Sequence, residues 1–202
     1  MARGRPREFD REKALADAML LFWRNGFHAT SLRDLSEALG IGMPSVYAAF
    51  GSKENLYVEA VGLYMKASQT LIWQKMEDLP ARVAIEILLR TTAQELANSA
   101  NHPVGCMVTL ALVDEQMPKP VAEAIRQARS DWLEVIRMRL QRAVVEGELP
   151  PSTDVGSLSR FYTAIIHSIG VQSHDGASCA ELDGMIGFAM SAWPAQAPVA
   201  TA

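Results

Sequence analysis

The chain of 202 residues is 49% hydrophobic and 21% charged, with a formal net charge of −4, a balance that supports a buried core and excludes disorder over most of the length. Cys106 and Cys179 are its only cysteines, too few for a small disulfide scaffold and suited to a reducing compartment. The longest uncharged apolar run, Val104 to Val113, is about half of the ~20 residues a membrane-spanning helix needs, and the basic start MARGRPREFD has no apolar stretch behind it, so a cytoplasmic protein with no membrane partner is expected.

Charge is spread unevenly. Residues 1–53 carry eight Lys/Arg against six Asp/Glu, and residues 54–202 carry 11 against 17. An acidic whole argues against coating nucleic acid, while a basic minority segment suits local DNA contact. No sustained apolar/polar alternation is present and no Asn-Gly or Asp-Gly hairpin turn lies between β-branched runs, so an all-α fold is expected. Residues 1–8, with Arg3, Arg5 and Arg7, form a basic arm. Leu15, Ala18, Met19 and Phe22 at i, i+3, i+4 and i+7 predict a first helix, capped by Asp10 and ended by Gly26. Thr30 or Ser31 starts a second, with Leu32, Leu35 and Leu39 on one side and Gly40 at its end. A third, very short helix fits Met43 to Ala49, with Pro44 tolerated in its first turn. Ser52 caps a fourth that runs to about Asp78. After Pro80 the helices are longer and more apolar, at 81–99, 104–113, 119–146, 154–172 and 179–193. Residues 194–202, small and Pro-containing, read as a disordered tail. No internal repeat is present.

Ser31 to Phe50, SLRDLSEALGIGMPSVYAAF, carries most of the functional information. Two short helices around Gly40-Ile41-Gly42 read as a helix-turn-helix whose small core is Leu35, Ile41, Val46 and Phe50. In such a unit the second helix lies in the major groove of DNA while the first crosses the backbone. A plain helical hairpin has the same periodicity, and the surrounding residues decide between the two. Gly26-Phe27-His28-Ala29-Thr30-Ser31, the run Leu35-Ser36-Glu37-Ala38-Leu39-Gly40-Ile41-Gly42, and the spaced Tyr47, Phe50, Lys53 and Leu56 resemble the N-terminal pattern of the tetracycline-repressor (TetR/AcrR) family of bacterial transcription regulators. Three positions depart from it: Gly42 stands where a capping Ser is usual, Leu39 where a small residue is, and Ala49 where a polar residue is common. The resemblance implies an N-terminal three-helix DNA-binding domain over residues 9–66, with its helix-turn-helix at about 31–50. A long helix would join it to a helical ligand-binding and dimerisation domain over residues 67–193.

The expected partner is double-stranded DNA with an inverted-repeat operator. Tyr47 offers a hydroxyl from a short helix otherwise presenting Ser45, Ala48 and Ala49, which suits a phosphate contact. Lys53 sits in the first turn of a helix, where the dipole disfavours a cation, and a nearby phosphate would account for it. Met43, Pro44 and Ser45 are placed to meet base edges or thymine methyls. Thr30, Ser31 and Arg33, at the start of the preceding helix, complete the contact set, and Arg3 and Arg5 fit a minor-groove arm.

In the second half, 154–172 and 179–193 have wide apolar faces that must pack on something. The resemblance implies a four-helix bundle with their copies in a homodimer, and Phe161, Ile165, Ile169, Leu182, Met185, Ile186 and Met190 are the expected interface. A pocket for a mainly apolar small-molecule effector is expected from Trp73, Cys106, Met107, Leu110, Trp132, Phe161, Tyr162 and His167, although large residues at helical spacing are core by default. His102-Pro103-Val104-Gly105-Cys106-Met107 is similar to a stretch found in a subset of the family. A cysteine opening a helix, with a histidine four residues before it, raises the alternative of a repressor that senses oxidants or electrophiles through Cys106, against the usual buried, inert thiol. Metal-ligand spacing is missing and no cofactor is expected. No phosphate loop, Gly-x-Ser-x-Gly elbow or His-Glu-x-x-His is present, so no enzyme is expected. Gly42 and Ala49 leave a third reading, a helical interaction module without DNA binding. The favoured reading is a homodimeric, ligand-responsive repressor released from a palindromic operator.

Overall fold

The computed structural model describes residues 9–73, 78–98, 100–111 and 116–194, the backbone alone at 69–73. Within these residues the structure is all-α, with no strand. The arm with Arg3, Arg5 and Arg7, the tail from residue 195 and the Trp73 side chain lie outside the described residues.

Helix α1 (Arg11–Ala29) starts at Asp10, whose Oδ1 accepts from the Glu12 and Lys13 N–H groups at 3.0 Å. It kinks at Gly26, whose φ of 77° breaks the helical path where glycine carries no Cβ penalty. Helix α2 (Leu32–Leu39) opens with a capping box, the Ser31 side chain accepting from Asp34 N–H and the Asp34 side chain accepting from Ser31 N–H. It closes on Gly40 in the left-handed region, as the sequence predicts. Helix α3 (Met43–Phe50) has Gly42 at its N-cap and therefore no side-chain cap. Ser52 Oγ accepts from Asn55 N–H ahead of α4 (Lys53–Trp73). There follow α5 (Ala81–Ala97), α6 (Met107–Leu110), α7 (Lys119–Val145), α8 (Val155–His174) and α9 (Cys179–Ser191). Of the expected helix over 104–113, the described residues up to 111 hold only the short α6. Gly105 has a φ of 84° and cannot continue a helix, and its carbonyl accepts from the Trp23 indole N–H at 2.9 Å.

Two cores result. The first gathers Phe22, Phe27, Leu35, Val46, Leu56 and Tyr57 from α1 to α4 and continues into Met107, Val108, Val121 and Ile125 of α6 and α7. Its aromatic centre is Phe22 and Phe27, each edge-on to Tyr57 at 4.9 and 5.3 Å, and each fully buried ring contributes roughly 1.5–3 kcal/mol. The second core joins α5, the C-terminal half of α7, α8 and α9 through Leu88, Ile136, Leu140, Tyr162 and Leu182. Arg139 is buried at their junction and donates to Glu148 at 2.8 Å and to the Leu79 carbonyl at 2.6 Å. No described helix is long and apolar enough to cross a membrane.

Candidate nucleic-acid interface and internal cavity

The turn between α2 and α3 is tied by Ser36 Oγ donating to the Ile41 carbonyl at 2.7 Å. Leu35, Val46 and Phe50 are buried beneath it, while Ile41 is only partly covered. With Val46 and Phe50 turned inward, α3 presents Pro44, Ser45, Tyr47 and Ala48 to the outside and leaves Met43 half-buried. Tyr47 is 46% exposed, a large ring held at the surface of a short helix.

Two expected contact residues are already engaged within the chain. Thr30 has no exposed surface, and its hydroxyl donates to the Gly26 carbonyl at 2.7 Å. It closes the corner between α1 and α2 and has nothing to offer a phosphate, which removes it from the contact set. Lys53 places its ammonium over the Phe27 ring, 4.3 Å from the centroid, and burial pushes its pKa down while the carboxylates of Glu54 and Asp34 push it up. The aromatic face and Asp34 thus offset the unfavourable dipole end that made this lysine conspicuous. Ser31 is exposed with its side chain committed to the cap, and Arg33 is exposed and paired with Glu37 at 2.8 Å.

A cavity of about 290 Å³ lies between α1 and α4 on one side and α5, α7 and α8 on the other. Its walls include Met19 and Trp23 of α1, Tyr64 of α4, Thr92 of α5, Trp132 of α7 and Ile166 of α8, with His102 and Cys106 from the turn before α6. The His102 ring stacks on Trp23 at 4.7 Å, and Tyr64 meets the same indole edge-on at 4.9 Å. The Tyr64 hydroxyl donates to Cys106 Sγ at 3.2 Å. Burial, first, and the neighbouring Cys106 push the Tyr64 phenol well above its usual pKa, so it stays a donor. Glu95 stands at the cavity with its carboxylate 4.0 Å from His102 Nε2.

Of the expected pocket residues whose side chains are described, Cys106 and Trp132 line this cavity, and Met107, Leu110, Phe161, Tyr162 and His167 lie elsewhere. Met107 and Leu110 face a wider groove of about 760 Å³ beside the Gly26 corner. Tyr162 is fully buried in the second core, and Phe161 edges a shallow cleft near Pro150. His167 is half-buried, and burial followed by the charge of Arg129 pushes its pKa down. Trp23, Tyr64 and Thr92 are among the wall residues that the sequence did not single out. Helical periodicity marks large residues as core and does not show which of them face a cavity.

The outer face of α8 and α9 exposes Phe188 at 83% and Phe161 at 37%, with Ile165 and Met185 partly covered. Gly184 and Gly187 beside Phe188 have open space where a Cβ would stand. Ile169, Leu182, Ile186 and Met190, expected at an interface, are instead enclosed by the chain's own helices.

Residues 14–60 match the family model for bacterial regulatory proteins of the tetR family, and residues 85–174 match that of the tetracyclin repressor-like C-terminal domain. The chain is 30% identical over 197 residues to the HTH-type transcriptional repressor ComR of Escherichia coli (strain K12), spanning 96% of this chain and 93% of that protein. It is 34% identical over 106 residues to the HTH-type transcriptional repressor BdcR of the same organism, spanning 52% and 53%. Among solved structures it resembles a cysteine mutant of the TetR family transcriptional regulator CifR complexed with a 26 bp double-strand operator DNA. There the TM-score is 0.89 and the identity 36%, over 95% of this chain and all of that one, 100%.

Proposed function

Because the chain belongs to the TetR family of bacterial regulatory proteins and is thus a DNA-binding transcription regulator rather than an enzyme, we propose that it acts as a homodimeric repressor released by a mainly apolar small molecule. Residues 9–66 serve as its DNA-binding part and residues 67–193 as its regulatory part, with an inverted repeat as operator. Two recognition helices fit successive major grooves only when their separation matches one turn of DNA, about 34–36 Å. A ligand that prefers the other separation shifts the population away from DNA by its differential affinity.

The observation that carries this reading is the cavity with Trp23 and Tyr64 on one side and Thr92, Trp132 and Ile166 on the other. A molecule filling it touches α1 and α4, which build the DNA-reading unit, together with α5, α7 and α8. It therefore has the means to prefer one arrangement over another. Selection of bound duplexes from random sequence should return an inverted repeat. Small apolar compounds that raise the melting temperature with the logarithm of their excess should release that duplex, and Thr92→Trp, which fills the cavity, should abolish both effects. Compounds that stabilise the protein without moving DNA occupancy would defeat the reading.

A second reading is supported by the hydrogen bond from Tyr64 to Cys106 Sγ, because a donor aimed at sulfur on a cavity wall suits a reactive thiol. DNA release by peroxide, hypochlorite and electrophiles, present in wild type and absent in Cys106→Ser, would support sensing by modification. Equal retention of DNA by both proteins would return Cys106 to a packing role and leave reversible binding intact.

A further inference from the structure

We propose that Arg11 is a positioning residue that sets the recognition helix α3 from its C-terminal end, acting through Glu59 and not through DNA. This rests on α3 being the helix that reads the duplex. Arg11 Nη2 donates to both carboxylate oxygens of Glu59 at 2.7 and 2.8 Å. The guanidinium carbon lies over the Phe50 ring, 4.6 Å from its centroid. Nε and Nη2 both donate to the Ala49 carbonyl at 3.4 Å. One side chain thereby joins the first turn of α1, the last turn of α3 and the second turn of α4.

The chemistry of α3 explains why such a contact matters there. Its last carbonyls have no intrahelical partners and carry partial negative charge. The helix has eight residues, Gly42 gives it no side-chain cap, and it has no basic residue in its own last turn. A segment this short has little helical stability alone. Gly51 N–H closes on the Tyr47 carbonyl at 2.8 Å, and Arg11 supplies from another helix both a donor for Ala49 and the cation that the C-terminal end favours. Glu59 fixes the direction of the guanidinium, because both of its carboxylate oxygens accept from Nη2 while Nε and Nη2 reach the Ala49 carbonyl, and a planar group held on two sides has little rotational freedom. The pitch of α3 over the groove, and with it the register of Ser45 and Tyr47, follows from that geometry.

The experiment measures affinity for the duplex obtained by selection and for an unrelated duplex of equal length, across salt concentrations and well below each variant's melting temperature. Wild type, Arg11→Ala, Glu59→Gln, the double variant and Arg11→Lys are compared. Positioning predicts that either single substitution lowers affinity for the selected duplex about tenfold, with affinity for the unrelated duplex and the salt slope unchanged. The double variant loses no more than either single one. Arg11→Lys recovers little, since one ammonium cannot serve Glu59, Ala49 and Phe50 together. A salt slope reduced by about one in Arg11→Ala, with both duplexes weakened and Glu59→Gln binding more tightly, would make Arg11 a phosphate ligand and overturn the proposal. An unchanged ratio between the two duplexes would overturn it too, leaving the pair a stability contact. A wild type that shows no preference between the duplexes would overturn the reading role of α3 and the positioning role with it.

Discussion

Tyr47 and Lys53 both answer to a phosphate in the proposed complex, yet they come to it from different surroundings. Tyr47 is held out at the surface, so removing its hydroxyl leaves the fold as it is. Tyr47→Phe should weaken every duplex alike by about three- to tenfold, the worth of one hydrogen bond, and titrations against selected and unrelated duplexes check this. Equal affinities for wild type and variant would take Tyr47 out of the interface. Lys53 already rests on Phe27, so Lys53→Ala should both flatten the salt slope by about one and lower stability by roughly 0.5–1 kcal/mol. A variant that loses stability alone would leave Lys53 with a structural role. The lysine was legible in the sequence as an anomaly, a cation where the dipole opposes it, but its partner Phe27 lies on another helix and only the fold brings the two together. Thr30 shows the reverse case. Its place in the motif was legible, while its role was not, because burial and the bond to Gly26 come with the kink inside the last turns of α1.

At the scale of elements, short polar signals carried the boundaries. Asp10, Ser31 and Ser52 cap helices where the sequence places them and Gly40 ends α2, whereas Gly26, expected to end α1, kinks it three residues before its last, Ala29. The stretch 104–113 misled because its apolar composition fits a helix locally, whereas Gly105 takes a φ of 84° and its carbonyl accepts from the Trp23 indole. A Cβ at Gly105 would also stand 3.1 Å from the Gly170 carbonyl, a contact that no local pattern reveals. The caps also govern behaviour in acid. The backbone hydrogen bond from Ser31, and then its side chain, hold Asp34 below the usual carboxylate pKa; Ser157 does the same for Asp154, and Ser178, side chain first, for Glu181. A carboxyl depressed in the folded state binds its proton more readily when unfolded. The stability it contributes is therefore complete above its unfolded pKa and is lost as pH falls through the folded one. Melting temperatures should decline as pH drops below about 5, and the decline should be shallower in the combined Asp34→Asn, Asp154→Asn and Glu181→Gln variant. An identical acid profile for the variant would mean that other groups dominate.

Across the whole molecule, the first core does not stop at the end of the DNA-reading helices but runs on into α6 and α7. The proposed division near residue 66 is thus a division of roles within shared packing, and a molecule in the cavity would touch α1 and α4 directly. The apolar faces of α8 and α9 were legible as faces that need a partner, but an amphipathic pattern cannot tell a partner in the same chain from one in a second copy. Ile169, Leu182, Ile186 and Met190 are taken by the chain itself, which leaves Phe161, Ile165, Met185 and the previously unassigned Phe188 for the proposed dimer. Exposure separates the two groups experimentally. Phe188 is 83% exposed and Leu182 fully buried, so a carboxylate at Leu182 has to be desolvated within the fold, whereas one at Phe188 meets that cost only when two copies associate. Phe188→Glu should keep its helical circular dichroism and sediment as a monomer, while Leu182→Glu should lose its cooperative melt. The monomeric variant should then bind an inverted repeat far more weakly than wild type, because the second half-site no longer gains from the first. A wild type that sediments as a stable monomer at micromolar concentration, or a Phe188→Glu protein that remains dimeric, would move the two-fold contact to another face.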